Sequence, residues 1–176
     1  MSRHEVKVVS ADSQEIACTL LRDLHAYWDS RRQARLFPRR SNIDPAHITR
    51  LLPHIFLIDV ERDGGLRFRV RLVGTHLDEA AGRLLTGRYV EDAKLDGQRE
   101  EILSRYVACV ETRRPVVSRH VFINEDKRRF DYERLLLPLA VTVDDRVDMI
   151  LGGICFLAPF PTPNISLHGS WKRTTV

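Results

Sequence analysis

Lysine is nearly missing from this chain: 4 residues against 24 arginines in a length of 176. So one-sided a bias is more easily explained by a GC-rich coding sequence than by selection for phosphate contacts. The net charge of +4 is also local. Residues 22–50 hold seven arginines, Arg22, Arg31, Arg32, Arg35, Arg39, Arg40 and Arg50, against Asp23, Asp29 and Asp44. That excess alone accounts for the whole. Cysteine is scarce too: Cys18, Cys109 and Cys155 are odd in number, far apart and in no C-x-x-C pair. The spacing excludes a disulfide framework or a zinc module, and each is expected to behave as a small buried apolar residue. No apolar run approaches the ~18 residues of a membrane span, and the longest, MILGGICFLAPF, is too short. The opening MSRHEVKVVSADSQE has no signal-peptide core, so a cytoplasmic location is expected.

Catalytic and cofactor motifs are equally sparse. The histidines His4, His25, His47, His54, His76, His120 and His168 form no H-x-x-x-H or H-E-x-x-H pattern, so no metal site is assigned. Neither G-x-G-x-x-G, nor a lysine-bearing phosphate loop, nor a G-x-S-x-G elbow occurs. GRLLTGR has glycines five apart and reads as turn geometry. The carboxylates Asp144 and Asp145 belong to a tight turn. Asp131 and Glu133 alternate with Tyr132 and Arg134, so they share a strand face, read here as the polar one; if buried, one of them would titrate high. No acid, base and nucleophile assemble, and the chain reads as a non-enzyme.

What is present is a strong alternation of helix and strand signals. Ile16, Leu20, Leu24 and Trp28 recur every fourth position and predict an amphipathic helix from Asp12 to about Arg35, capped by Ser10 or Asp12 and ended by Pro38. Its apolar stripe requires a covering surface, either the domain's own sheet or a partner helix. Asp44-Pro45 is a capping carboxylate with proline at the first helical position, opening AHITRLL. Strands are predicted at Ile55–Val60 and Leu66–Val73 around a glycine turn, ERDGG. In the second, Leu66, Phe68, Val70 and Leu72 face one way and Arg67, Arg69 and Arg71 the other, which implies an edge or a half-exposed strand. Gly74 allows a sharp exit into a helical turn at His76–Gly82, and Gln98–Arg114 is the second long helix. Strands follow at Val116–Asn124, Phe130–Ala140 and Val147–Leu157, the last carrying Gly152-Gly153, the mark of a bulge or a close backbone approach. Hairpin-length turns imply an antiparallel sheet in an α+β domain. Residues 1–11 are expected to be a flexible arm, 12–53 a helical extension, 54–158 the core and 159–176 a disordered tail.

This order resembles a PAS domain, and more closely a small bacterial variant of that family, the fifth type. The resemblance is carried by Trp28, Arg39-Arg40, Asp44-Pro45, Leu51-Leu52-Pro53, Arg71-Leu72 with Gly74-Thr75, Leu85-Thr86-Gly87-Arg88 and ERLLLP at Glu133–Pro138. It implies a five-stranded antiparallel sheet in the order 2-1-5-4-3 with helices on one face, plus the N-terminal amphipathic helix. It also implies a sensory or interaction module that binds haem, flavin or a small metabolite, or binds nothing and dimerises. The cofactor stays unassigned. The long helix of haem-binding PAS domains carries a histidine, which Gln98–Arg114 lacks, and His120 on the next strand is the remaining candidate; the flavin motif N-C-R-F-L-Q does not occur.

Three functions follow as expectations. A ligand sensor would line its pocket with Phe68, Val70, Leu72, Thr75, Leu85, Tyr89, Tyr106 and Tyr132, although the same residues would equally serve as core. A ligand-free module would form a homodimer through Ile16, Leu20, Leu24 and Trp28, or bind a signalling protein. Nucleic-acid binding would use Arg31–Arg40 and is the least favoured, because no aromatic residues interleave the arginines and no helix-turn-helix is evident. RRQAR also matches half of a cyclic-dinucleotide motif, without its D-x-S-x-x-G partner.

Overall fold

The computed structural model describes residues 15–92, 98–123 and 129–157. The expected arm, the Ser10 or Asp12 cap and the expected tail lie outside these residues. Five strands, β1 Ile55–Glu61, β2 Arg67–Val73, β3 Val116–Ile123, β4 Arg129–Leu139 and β5 Met149–Phe156, form one sheet in the order β2-β1-β5-β4-β3. Every pairing is antiparallel. Three α-helices accompany it: α1 Thr19–Arg31, α2 Thr75–Ala81 and α3 Arg99–Thr112.

The hairpin between β1 and β2 turns on Gly64 (φ +78°) and Gly65 (φ +132°), backbone angles that a side chain would strain. β2 is an edge strand, as its arginine face predicts, and those arginines meet acids: Arg71 lies 3.3 Å from Asp59 and Arg69 3.9 Å from Glu61. The alternation read from the sequence is broken, however. Ile58 pairs with Val70 but Leu57 with Leu72, so Arg71 is an extra residue, a β-bulge. A bulge of one residue turns all later side chains over. Leu72 therefore leaves the face of Val70 and stands 45% exposed, while Val73 takes its place.

Gly74 is needed for a reason other than the expected one. Its φ of −69° and ψ of 148° are open to any residue. A Cβ there would instead collide with the backbone carbonyls of Leu52 and Pro53, which have no freedom to withdraw. Gly74→Ala is expected to cost at least about 2 kcal/mol, the scale of an overpacked site, read as a shifted urea midpoint. Helix α2 ends on Gly82 in the left-handed region, φ +68°.

Helix α1 is shorter than the Asp12–Arg35 prediction. It ends well before Pro38, because Gln33 enters the left-handed region at φ +55°. The expected AHITRLL helix is two tight turns, Pro45–Ile48 and Leu52–His54, the first capped by the Asp44 carboxylate, which accepts from Ala46 N at 2.9 Å. α1 covers the sheet face opposite α2 and α3. Leu24 is 0% and Trp28 2% exposed, and Trp28 Nε1 donates to the Pro138 carbonyl at 2.9 Å. Ile16 is also buried and Leu20 partly so. The stripe proposed as a dimer interface is thus covered by the chain's own sheet. An apolar helix face takes the nearest matching surface, and the face of β4 and β5 bearing Leu135 and Gly153 supplies it.

Two further corrections lie at the start of α1. Cys18 and Cys155 are joined in a disulfide across 137 residues, with Cα atoms 6.5 Å apart. Sequence spacing missed it because the fold alone brings these positions together. Beside it, Glu133 is not on a solvated polar face. It is 1% exposed and accepts from Ala17 N at 3.1 Å, Cys18 N at 2.8 Å and Arg119 Nε at 3.3 Å. A buried carboxylate with three donors anchors the entry of α1, whose N-cap residue has no side-chain hydrogen bond of its own.

His25 on α1 is 4% exposed, and its Nε2 has no partner. Burial pushes its pKa below the usual histidine value, with Asp29 opposing and Arg32 assisting. Burial and then the neighbouring His76 do the same to His54. The unfolded chain therefore binds these protons more readily than the folded one. Their stability is complete above about pH 6.5 and is lost as pH falls towards the lowered folded values. The Tm is expected to be flat from pH 7 to 8 and to drop by pH 5, less steeply in His25→Leu; scanning calorimetry across pH reads both.

Candidate functional site

A cavity of about 370 Å³ lies between the sheet on one side and α2, the connector 83–92 and α3 on the other. Strand alternation sets its wall. Phe56 and Ile58 of β1, Val70 and Val73 of β2, Tyr132 and Arg134 of β4, and Ile154 and Phe156 of β5 all face it. Leu77, Ala80 and Ala81 of α2 and Ile102 and Tyr106 of α3 close the other side, with the connector 83–92 along one flank. The volume and the apolar lining fit a small-molecule site.

The connector is tied to the sheet by main-chain bonds. Gly87 N donates to Val70 O at 2.7 Å and Val70 N to Arg88 O at 2.8 Å, which covers the open edge of β2. Glu91 accepts from Phe68 N at 2.8 Å. Tyr89 donates its hydroxyl to Glu61 at 3.0 Å, and the Arg67 guanidinium lies 3.6 Å from the centre of its ring. The bond to Glu61 is the main force raising the Tyr89 pKa.

Polar groups gather at the β4 end. Burial pushes the phenols of Tyr106 and Tyr132 up from their ordinary value, although Arg134 opposes it in both, so each keeps its proton. The Arg134 guanidinium sits 5.0 Å from the Tyr106 ring centre. Its Nη2 donates to His120 Nε2 at 3.0 Å, which makes that nitrogen an acceptor. His120 Nδ1 lies 3.9 Å from Glu101, which also approaches Arg105 at 3.5 Å.

Gly152 and Gly153 form a close approach on both sides of β5, with no break in the pairing. A Cβ on Gly152 would strike the Phe56 ring on the cavity side. One on Gly153 would come within 2.7 Å of Leu21 and Leu24 of α1. Adjacent glycines thus let the cavity wall and α1 press on the same strand from opposite faces.

Of the residues expected from sequence, Val70, Leu85, Tyr89, Tyr106 and Tyr132 are on the cavity wall. Phe68 is buried beside Tyr106, with ring centres 5.2 Å apart, and Thr75 lies exposed at the start of α2. Leu72 is turned away by the bulge. Phe56, Ile154 and Arg134 were missed. Arg134 shares a face with Tyr132 two residues earlier, so the alternation that set Asp131 and Glu133 on the polar side already carried the signal for it. His120 is engaged by Ser118 and Arg134, and among the described residues no group of three or more metal-ligating side chains occurs. Cys109 is a free, fully buried thiol whose pKa burial pushes up, as befits packing. Among the described residues no helix is long and apolar enough to cross a membrane.

The family model of the PAS domain matches residues 17–155. Among solved structures, a light-oxygen-voltage domain from work with a flavin analogue is 11% identical, with a TM-score of 0.51 over 66% of this chain and 87% of that one. The PAS domain of a Colwellia psychrerythraea protein is 13% identical, with a TM-score of 0.49 over 64% and 95%. A Rhodobacter sphaeroides light-oxygen-voltage protein is 15% identical, with a TM-score of 0.47 over 62% of each chain. No curated protein matches the sequence significantly.

Proposed function

Because the chain belongs to the PAS domain family, we propose that it is a regulatory module whose input is a small ligand held in the cavity and whose output passes through β5 to α1. Its role is regulation, with no catalytic step assigned. The observation that carries the reading is the cavity itself, about 370 Å³ of mostly apolar wall with a few convergent polar groups. The paired glycines supply the route, since Phe56 on one face and Leu21 and Leu24 on the other meet β5 at consecutive residues. A ligand that moves the Phe56 ring would alter the seat of α1 two layers away.

The ligand-free dimer is the alternative, and it loses its interface because Ile16, Leu24 and Trp28 are buried within the chain. Nucleic-acid binding is weakened in a similar way. Arg32 is paired with Asp29, Arg35 and Arg39 share Asp144, and Arg31 lies against Tyr27. Native mass spectrometry of the freshly purified chain tests the sensor reading. A bound small molecule is expected, and Ala81→Phe, which fills the cavity from α2, is expected to abolish it. A ligand retained undiminished by Ala81→Phe would place the site elsewhere.

A further inference from the structure

Arg134 is 3% exposed, faces the cavity, and has an Nε with no hydrogen-bond partner. No carboxylate among the described residues forms an ion pair with it; its partners are neutral, His120 Nε2 and Tyr106, which offers both its ring and its phenol oxygen. The neighbouring glutamate on β4 points through the opposite face to α1. Glu101 is turned to His120 and Arg105 instead. A permanently charged guanidinium removed from water without an anion bears a large desolvation penalty, which a bound anion would offset.

We infer that the cavity receives a small carboxylate carried on an apolar body, and that Arg134 is its receptor. The inference deepens the ligand-sensing reading and rests on it. Arg134 lies on the cavity wall with Nη2 held by His120, and the fork of a guanidinium matches a carboxylate in shape and charge. Tyr106 and Tyr132 flank it as protonated phenols, while Ile58, Val70 and Ile154 take the apolar body. The groups that recognise the head and those that take the body come from different elements, so neither a bare anion nor a neutral hydrocarbon satisfies the whole site.

The test uses the full chain and two matched probes, 4-phenylbutyrate and its uncharged counterpart 4-phenylbutan-1-ol, titrated by NMR at pH 7. The carboxylate is expected to bind about tenfold tighter or more, the increment of a charge-assisted hydrogen bond in a dry site. The Arg134 Nε–H resonance is expected to move with the carboxylate and not with the alcohol, a readout that needs no variant. Arg134→Leu is expected to erase the preference while the alcohol still binds. Equal affinities, or a preference that survives Arg134→Leu, would overturn the carboxylate assignment and leave the sensor reading standing. If neither probe binds, the assignment falls and the cavity as a ligand site falls with it.

Discussion

Replacing Cys18 and Cys155 together by serine is expected to lower the stability of the chain by about 4 kcal/mol. The bond closes a loop of 137 residues, and a crosslink of that span removes a large part of the unfolded chain's freedom. It also holds the entry of α1 against the end of β5, beside the Glu133 carboxylate that accepts from Ala17 N and Cys18 N. Urea unfolding with and without a thiol reductant measures the effect. The oxidised wild type should unfold at a clearly higher midpoint than the reduced one, and the double serine variant should ignore the reductant. Coincident midpoints for all samples would show that the bond contributes nothing. Reduction would leave α1 held by its packing on the sheet and by its hydrogen bonds to Glu133 and Pro138.

That packing has its own test. Trp28→Ala is expected to cost about 4 kcal/mol, within the range for removing a large buried aromatic side chain. Trp28 is 2% exposed and donates Nε1–H to the Pro138 carbonyl. Deletion leaves both a void between α1 and the sheet and an acceptor without its partner. Trp28→Phe keeps most of the volume and is expected to cost about 1–2 kcal/mol, chiefly the lost hydrogen bond. A dimer interface at this position would give a different pattern. Trp28→Ala would then change the molecule's size in solution more than its unfolding midpoint, and a sedimentation run beside the urea titration separates the two.

The elements were legible because their periods are unambiguous. The fourfold recurrence of Leu20, Leu24 and Trp28 marks α1, alternation and turn glycines mark the five strands, and their order in the sheet came from the resemblance to the PAS domain. What escaped was anything decided by contact across the sequence. The bulge at Arg71 inverts Leu72, yet nothing local to RFRVRLV distinguishes it from a regular strand. Gly74 looks like a turn glycine, while the carbonyls that demand it belong to residues 52 and 53. Cys18 and Cys155 match no spacing motif because their closeness is a product of topology. The site divides in the same way. Tyr106 and Tyr132 were found as aromatic residues on apolar faces, whereas Arg134 was passed over, since a charged residue on a strand reads as solvent-facing until its burial is known.

The central claim is that one sheet carries a ligand cavity on one face and reports its occupancy to α1 on the other. Hydrogen exchange of the intact chain, wild type against the cavity-filling Ala81→Phe, tests it most directly. Filling the cavity is predicted to change amide protection in residues 19–31 together with that of α2 and α3. If protection changes only within 75–112 while α1 exchanges as before, the cavity and the helix are uncoupled and the proposed route through Gly152 and Gly153 is wrong.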